Sequence, residues 1–114
     1  MSGNSCGALS GAILAVGAKH GRRNPKEMRP DGLYAVEYRR YNNMVHDFSQ
    51  IMGTSICREI CKENLHDWGG KARKDRCGEA VCAAVEVACK YFDLSTEEID
   101  QMPWRENVAG FQNP

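Results

Sequence analysis

The segment Gly32–Met52 places the tightest constraint on the fold, because it has the pattern of a long amphipathic helix. Its apolar and aromatic residues recur at intervals of three and four, and polar residues fill the positions between them. These recurring residues are Leu33, Val36, Tyr41, Met44, Val45, Phe48, Ile51 and Met52. Asp31 is suited to cap this helix at its start and Gly53 to end it. It is the longest helix that the sequence predicts.

A shorter helix is predicted within Gly3–Arg22, where Asn4 and Ser5 are suitable N-cap residues and Gly21 is a suitable C-terminal residue. One stripe of this helix has little side-chain bulk, so another helix can approach it closely. The stripe consists of Gly7, Gly11, Ala15 and Ala18. The opposite face has ordinary core residues, which are Leu9, Ala12, Ile13 and Val16. Cys6 is therefore expected in the first turn of a buried helix.

Two more helices are predicted in the second half of the chain. The first is capped by Thr54 or Ser55 and ends before Gly69. The second is capped by Asp75 and runs from residue 76 to about residue 92. Because this second helix is apolar around most of its axis, we expect it to be central and buried. Its cysteines Cys82 and Cys89 are accordingly interpreted as packing residues.

Together these segments predict one all-α domain over residues 1–114, a bundle of about four main helices. A short C-terminal helix follows, because Ser95 and Glu98 have the form of a capping box. Loops are expected over residues 22–31 and 68–75, and a tail over residues 103–114. No stretch alternates apolar and polar residues as a strand would.

The net charge and the length of the apolar runs bear on whether nucleic acid or a membrane is a partner. The chain has 15 Lys and Arg residues and 15 Asp and Glu residues. This balance gives no electrostatic reason to expect nucleic acid or an anionic membrane as a partner. The longest apolar run, Ala12–Ala18, is far shorter than the roughly 20 residues of a membrane span. No basic residue precedes that run, as it would in a signal peptide, so a cytoplasmic location is expected.

Six cysteines are many for a chain of 114 residues. They are Cys6, Cys57, Cys61, Cys77, Cys82 and Cys89. Because they lie in helical patterns without a secretion signal, a reduced, redox-active or metal-binding set is expected rather than structural disulfides. Cys6, Cys57 and Cys77 are each predicted near the start of a helix, where the dipole favours a thiolate over a thiol. These three are the candidate redox-active thiols.

Cys61 lies one turn after Cys57 on the same predicted helix face. Two cysteines so placed cannot easily form a disulfide with each other, but both can face a metal or a cysteine from another helix. The candidate metal ligands are therefore Cys6, Cys57, Cys61 and Cys77. An iron–sulfur cluster is one cofactor that such a set can hold. Haem attachment is not expected, because the chain has no C-x-x-C-H motif.

The cysteine and glycine spacing resembles that of the C_GCAxxG_C_C family of redox-active proteins. The pattern C-G-A-x-x-G, then an apolar run and two further glycines, extends from Cys6 to Arg22. Gly53-Thr54-x-x-Cys57-Arg58-Glu59-Ile60 follows, and then Cys77. The resemblance covers roughly residues 3–91. It implies a helical, often dimeric, redox or metal-binding domain, related to the helical domain of split-Soret cytochrome c, with Cys6, Cys57 and Cys77 as site residues.

The chain departs from the family pattern in two places. Gly7 stands where the family motif has its cysteine, and Cys6 lies one position earlier. The family also has additional N-terminal helices with a further cysteine, and this chain lacks that part. A partner subunit is one source of the missing ligand, and Cys61 is another.

Three hypotheses about function follow. The first is a redox-active or iron–sulfur protein with an unidentified redox partner. The second is a structural or interaction module with inert buried cysteines, whose stripe of small residues forms a homodimer contact. The third is a thiolate enzyme acting on a small molecule, in which one cysteine reacts much faster than the others.

Overall fold

The computed structural model describes residues 2–108 and residue 110, and within this range it is all-α. The helices, in chain order, are α1 (Gly7–His20), α2 (Asp31–Met52), α3 (Cys57–Ile60), a 3-10 helix (Lys62–Asp67), α4 (Lys71–Asp93) and α5 (Thr96–Asp100). The described residues contain no strand, although Ser5 and Ile56 form an isolated antiparallel bridge. The predicted helical bundle with a short C-terminal helix is confirmed.

The three long helices enclose the core, with α1 and α2 both packed against α4. Val16 of α1, Phe48 of α2 and Tyr91 of α4 are fully buried there, and Ile99 of α5 closes one end. Ser95 and Glu98 form the predicted capping box at the start of α5. None of the helices within the described residues combines the length and hydropathy needed to cross a lipid bilayer.

Polar side chains on α2 bind the C-terminal part of the chain. The fully buried Arg39 donates from Nη1 to the carbonyls of Ile99, Asp100 and Met102, at 3.2, 2.7 and 3.2 Å. Helix ends leave carbonyl groups without intrahelical partners, and here a guanidinium supplies the missing donor. The segment after α4 is thereby bound to α2. Of the predicted tail, residues 109 and 111–114 lie outside the described residues.

The predicted helix after Gly53 is shorter than expected. Gly53 ends α2 in a left-handed conformation, as predicted. The next helix, α3, has only four residues and stops at Ile60, and a 3-10 helix follows it. Arg76 Nε donates to the Ile60 carbonyl at 3.2 Å, so the end of α3 is satisfied from α4 and the chain is free to turn.

The start of α4 also differs from the prediction, because the helix begins at Lys71 rather than after Asp75. Its N-cap is Gly70, and a Cβ at that position would run into the Asp67 carboxylate. Nor is α4 buried all round. Val81 and Val85 are 51% and 56% exposed, and Cys82 and Cys89 are also exposed. These additional apolar side chains of α4 therefore form a solvent-exposed surface and do not pack against another part of the core.

The stripe of small residues on α1 is exposed as well. A Cβ at Gly7 or Gly11 would meet no atom within 4 Å, so no helix of the described chain packs there. The opposite face of α1 is in the core as predicted, with Leu9, Ala12 and Val16 buried. The prediction that the stripe contacts another helix is thus not met within one chain.

Arg40 of α2 is a fully buried charge that binds both Glu37 and the end of α4. Its Nη1 donates to the carbonyls of Tyr91 and Leu94, and Nε and Nη2 donate to the Glu37 carboxylate. We expect Arg40→Met to lower the free energy of unfolding by about 3–5 kcal/mol, because it leaves Glu37 buried without its counter-charge. Urea denaturation at neutral pH measures this loss.

The matched control is Lys74→Met, which removes an exposed cation from the first turn of α4. Its expected effect is within about 0.5 kcal/mol. Adding Glu37→Gln to Arg40→Met should recover part of the lost stability, since the unpaired charge is then removed. A single Arg40→Met change within about 1 kcal/mol of the wild type would contradict this account.

Candidate functional site

Two of the predicted site cysteines come together in the fold. The Sγ atoms of Cys61 and Cys77 are 3.8 Å apart. Cys61 is the residue that ends α3, and Cys77 lies in the second turn of α4. Cys61 is only 1% exposed, whereas Cys77 is half-buried. Because Cys61 lies at the end of α3 and Cys77 on α4, their sulfur atoms can approach each other, as those of two cysteines one turn apart on a single helix cannot.

A guanidinium lies beside the more exposed of these two sulfurs. Arg73 is one turn before Cys77 on α4, and its Nη1 is 3.6 Å from the Cys77 Sγ. Arg73 Nε donates to the Trp68 carbonyl at 2.6 Å, and the guanidinium lies 4.8 Å from the centre of the Trp68 ring. These contacts fix the Arg73 guanidinium, and with it a positive charge, next to the Cys77 sulfur.

The buried partner is held in its neutral form. Burial raises the pKa of the Cys61 thiol to about 11, and the hydrogen bond with Cys77 acts in the same direction. Negative charge on Cys77 or Cys57 would raise it further, and Arg73 opposes the shift in part. Cys61 is therefore a protonated thiol at neutral pH. The two sulfurs of the pair have different environments and are suited to different roles.

Cys57 lies close to this pair. It is the first residue of α3, is half-buried, and is near enough for its charge to act on the pKa of Cys61. Its backbone N–H donates to the Asn4 carbonyl at 2.6 Å, which joins α3 to the N-terminal arm. The predicted position at a helix start is confirmed for Cys57, although α3 is only four residues long.

Cys6 is buried and lies at the N-cap of α1 rather than in its first turn. Its N–H donates to the Ser55 carbonyl at 2.9 Å, next to the bridge between Ser5 and Ile56. The N-terminal arm and the segment before α3 are thus paired. The predicted redox roles of Cys6 and Cys57 remain predictions, while Cys77 lies one turn further into its helix than expected.

The predicted metal ligands were Cys6, Cys57, Cys61 and Cys77. Among the described residues, no three His, Cys, Asp or Glu side chains are arranged to hold a metal ion. The arrangement presents two thiols in contact, whereas an iron–sulfur cluster is typically held by four thiolates. Metal ligation by these four cysteines stays a prediction.

Cys82 and Cys89 differ most from expectation, since both were interpreted as buried and both are exposed. They lie on the outer face of α4, away from its buried residues Ala80, Ala83 and Val87. The apolar composition of α4 led to the wrong interpretation, because an apolar residue can also face a surface that the chain itself does not cover.

Sequence reasoning also missed Arg73 and Trp68, which the prediction placed in a loop. The signal was present in the spacing, since an arginine four residues before a cysteine shares its helix face. Recognising that signal required α4 to begin at Lys71, ahead of Arg73, rather than after Asp75.

Comparison with known proteins gives one match. Residues 1–91 match the model of the family described as "Putative redox-active protein (C_GCAxxG_C_C)". The chain belongs to this family. The matched residues include all six cysteines and end at the last turn of α4. Neither a curated protein nor a solved structure matched the chain.

The pKa of Cys61 predicts how its reactivity depends on pH. Below its pKa of about 11, each unit of rising pH increases the thiolate fraction about tenfold. We therefore expect the rate of Cys61 alkylation by iodoacetamide to rise steadily from pH 7 to pH 9 without a plateau. Mass spectrometry of peptides from the reduced protein, sampled over time, measures this rate.

The exposed Cys82 serves as the internal reference for reagent reactivity. Cys61 should react more slowly than Cys82 at pH 7, because its sulfur is both protonated and buried. A Cys61 rate that levels off below pH 9 would contradict this assignment.

Proposed function

We propose that this protein transfers electrons by reversible formation of a disulfide between Cys61 and Cys77. The observation that carries the proposal is the 3.8 Å distance between their Sγ atoms. A disulfide bond is about 2 Å long, so the sulfurs need to approach by less than 2 Å. Membership of a redox-active family supports the same chemistry.

The two cysteines take different parts in the exchange. Cys77 is the attacking thiol, because it is the more exposed of the two and the Arg73 guanidinium lies 3.6 Å from its sulfur. Its sulfur attacks one sulfur of an oxidised disulfide partner, so a mixed disulfide forms and the other half leaves as a thiolate. Cys61 then loses its proton to the departing thiolate and attacks the Cys77 sulfur. The protein dithiol is oxidised, and the partner disulfide is reduced to two thiols.

The high pKa of Cys61 fits the second step. A neutral thiol does not compete with Cys77 for the partner, and it becomes the nucleophile only when the mixed disulfide forms beside it. The six free cysteines accord with a reducing compartment, and we propose the cytoplasm as the location.

Iron–sulfur binding is the other form of redox chemistry that the cysteines suggested. We do not assign it, because the described donor set does not fit a cluster: two thiols are in contact, and no third ligand is arranged with them. Iron and acid-labile sulfide are measured after anaerobic purification as part of the test below. Stoichiometric iron in the protein would overturn the dithiol proposal.

The central test is oxidation of the reduced protein by hydroxyethyl disulfide. Cys61→Ser and Cys77→Ser should each abolish the internal disulfide, because each removes one of its two sulfurs. The wild type should lose about two mass units per chain, from two hydrogens, and peptide mapping should find Cys61 linked to Cys77.

Cys82→Ser is the control, since Cys82 is exposed and lies five residues after Cys77, on a different face of α4. It should oxidise like the wild type. Cys57→Ser distinguishes the Cys61–Cys77 disulfide from one that includes Cys57, because only the latter would be lost in this variant. A wild-type protein that forms no Cys61–Cys77 bond, or one in which Cys57 replaces either residue, would refute the proposal.

A second function, self-association, is favoured by the surface that α1 and α4 form. A groove of about 300 Å³ lies between these helices, and its lining is almost entirely apolar. It is lined by Ala8, Gly11, Ala12, Ala15, Val81, Ala84, Val85, Ala88 and Cys89. The α1 segment from Gly7 to Ala18 has no charged residue although much of it is exposed.

A second copy of this chain is the occupant that we propose for this groove. The exposed valines of α4 form a ridge directly beside the small residues of α1, so the face has both a projection and a recess. A twofold interface places the same patch on both partners and therefore needs such self-complementarity. Contact of this kind would also cover Cys89, which otherwise exposes a thiol in an apolar surface.

Ala15→Glu tests the homodimer, because it introduces a charge into the centre of the apolar groove. The wild type should sediment at about twice the chain mass of 12.7 kDa, and the variant at the mass of one chain. Gln50→Glu, an equivalent change at an exposed position of α2, should remain dimeric. A wild-type monomer at all concentrations would refute the dimer and leave the dithiol proposal unaffected.

A further inference from the structure

A surface pocket of about 520 Å³ lies between the N-terminal arm and the 3-10 helix. It is lined by Ser2, Gly3, Arg58, Leu65 and Trp68, and we call it the Arg58 pocket. Its volume is within the range of small-molecule sites, which is about 300–1,000 Å³. The pocket is separate from the apolar groove between α1 and α4.

The cation of this pocket is held in one position. Arg58 Nε donates to the Gly3 carbonyl at 3.2 Å, and Nη2 donates to the Ser2 carbonyl at 3.0 Å and to Asn4 Oδ1 at 3.3 Å. The backbone N–H of Arg58 also binds the Gly3 carbonyl. These acceptors are uncharged, so the positive charge of the guanidinium is not neutralised by them. Within the described part of the chain, Nη1 has no acceptor and remains available to a ligand.

The pocket also has two apolar lining residues, Leu65 and Trp68, and Trp68 connects it to Cys77 through Arg73. Leu65 is 54% exposed in its wall, and Trp68 is half-buried. The Trp68 ring stacks on the Arg73 guanidinium, and Arg73 contacts the Cys77 sulfur. A ligand that packs on the Trp68 ring is thus connected to the Cys77 sulfur through Trp68 and Arg73. On the other side of the pocket, Arg58 directly follows Cys57 in the sequence.

We infer that the Arg58 pocket binds a small disulfide that carries a carboxylate, as the oxidised partner of the Cys61–Cys77 dithiol. The carboxylate binds Arg58 Nη1, the carbon chain packs on Leu65 and Trp68, and the disulfide extends towards Cys77. A fixed guanidinium suits a planar carboxylate, and an apolar wall suits methylene groups. This inference rests on the proposed function, because the exchange reaction requires a partner with a sulfur–sulfur bond.

The reaction is balanced without any further reagent. The Cys77 thiolate attacks the nearer sulfur of the bound disulfide, and the farther sulfur leaves as a carboxylated thiolate. Cys61 gives its proton to that thiolate and displaces the second half from Cys77. The second carboxylated thiolate takes up the proton that Cys77 released to solvent when it ionised. The products are the Cys61–Cys77 disulfide and two carboxylated thiols, so two electrons pass from the protein to the ligand.

The test compares two probes, glutathione disulfide, which carries carboxylates, and hydroxyethyl disulfide, which is uncharged. The rate of Cys61–Cys77 formation with each is measured by quenching and mass spectrometry, and the ratio of the two rates is the readout. Arg58→Gln should lower this ratio about three- to fivefold, the scale of a partly exposed charge pair. Arg58→Lys, which keeps the charge, should retain a ratio closer to that of the wild type.

The matched control is Lys62→Gln, which removes a neighbouring exposed cation that does not line the pocket. It should leave the ratio unchanged. An Arg58→Gln ratio equal to that of the wild type would overturn the inference, as would an equal fall of both rates, because Arg58 would then act on the fold or the thiols. If neither probe oxidises the wild-type pair, it is the proposed function that fails.

Discussion

One guanidinium, that of Arg76, joins three helices at the point where the thiol pair forms. Its Nε donates to the Ile60 carbonyl that ends α3, its Nη2 donates to the Met52 carbonyl that ends α2, and both bonds originate from α4. A helix end needs donors for its last carbonyls, and here one side chain supplies them to two helices. Cys61 follows Ile60, and Cys77 follows Arg76. The bond between Arg76 and Ile60 therefore holds the two cysteine-bearing segments next to each other.

Burial then makes the two sulfurs unequal. The turn after α3 directs Cys61 into the core, where desolvation favours the neutral thiol, while Cys77 keeps contact with solvent and with Arg73. The difference arises from position and from one nearby charge, since both residues are cysteines. This difference in burial and in nearby charge sets the order of thiol–disulfide exchange, because one sulfur has to react with the partner first and the other has to complete the reaction.

The sequence predicts the helices well and their contacts less well. Periodicity located α1 and α2 and the capping box at Ser95, because local spacing and cap chemistry determine those features. It did not predict the break after Ile60, since that carbonyl is satisfied by an arginine 16 residues away. It could not predict that Cys82 faces outward, because an apolar helix pattern does not distinguish a core from an uncovered surface. The sequence left open whether Cys61 faces a metal or a cysteine from another helix, and its contact with Cys77 depends on the tertiary fold.

The buried arginines of α2 bind the segment that follows α4. This segment therefore stabilises the fold and is not part of the thiol site. The family match ends at Tyr91, and Arg40 donates both to the Tyr91 carbonyl and to that of Leu94, just beyond the match. Arg39 extends the same binding to the end of α5. A buried guanidinium needs hydrogen-bond acceptors, and this C-terminal segment supplies backbone carbonyls to both arginines. The segment stabilises α2, whereas the thiols are positioned by contacts between α3 and α4.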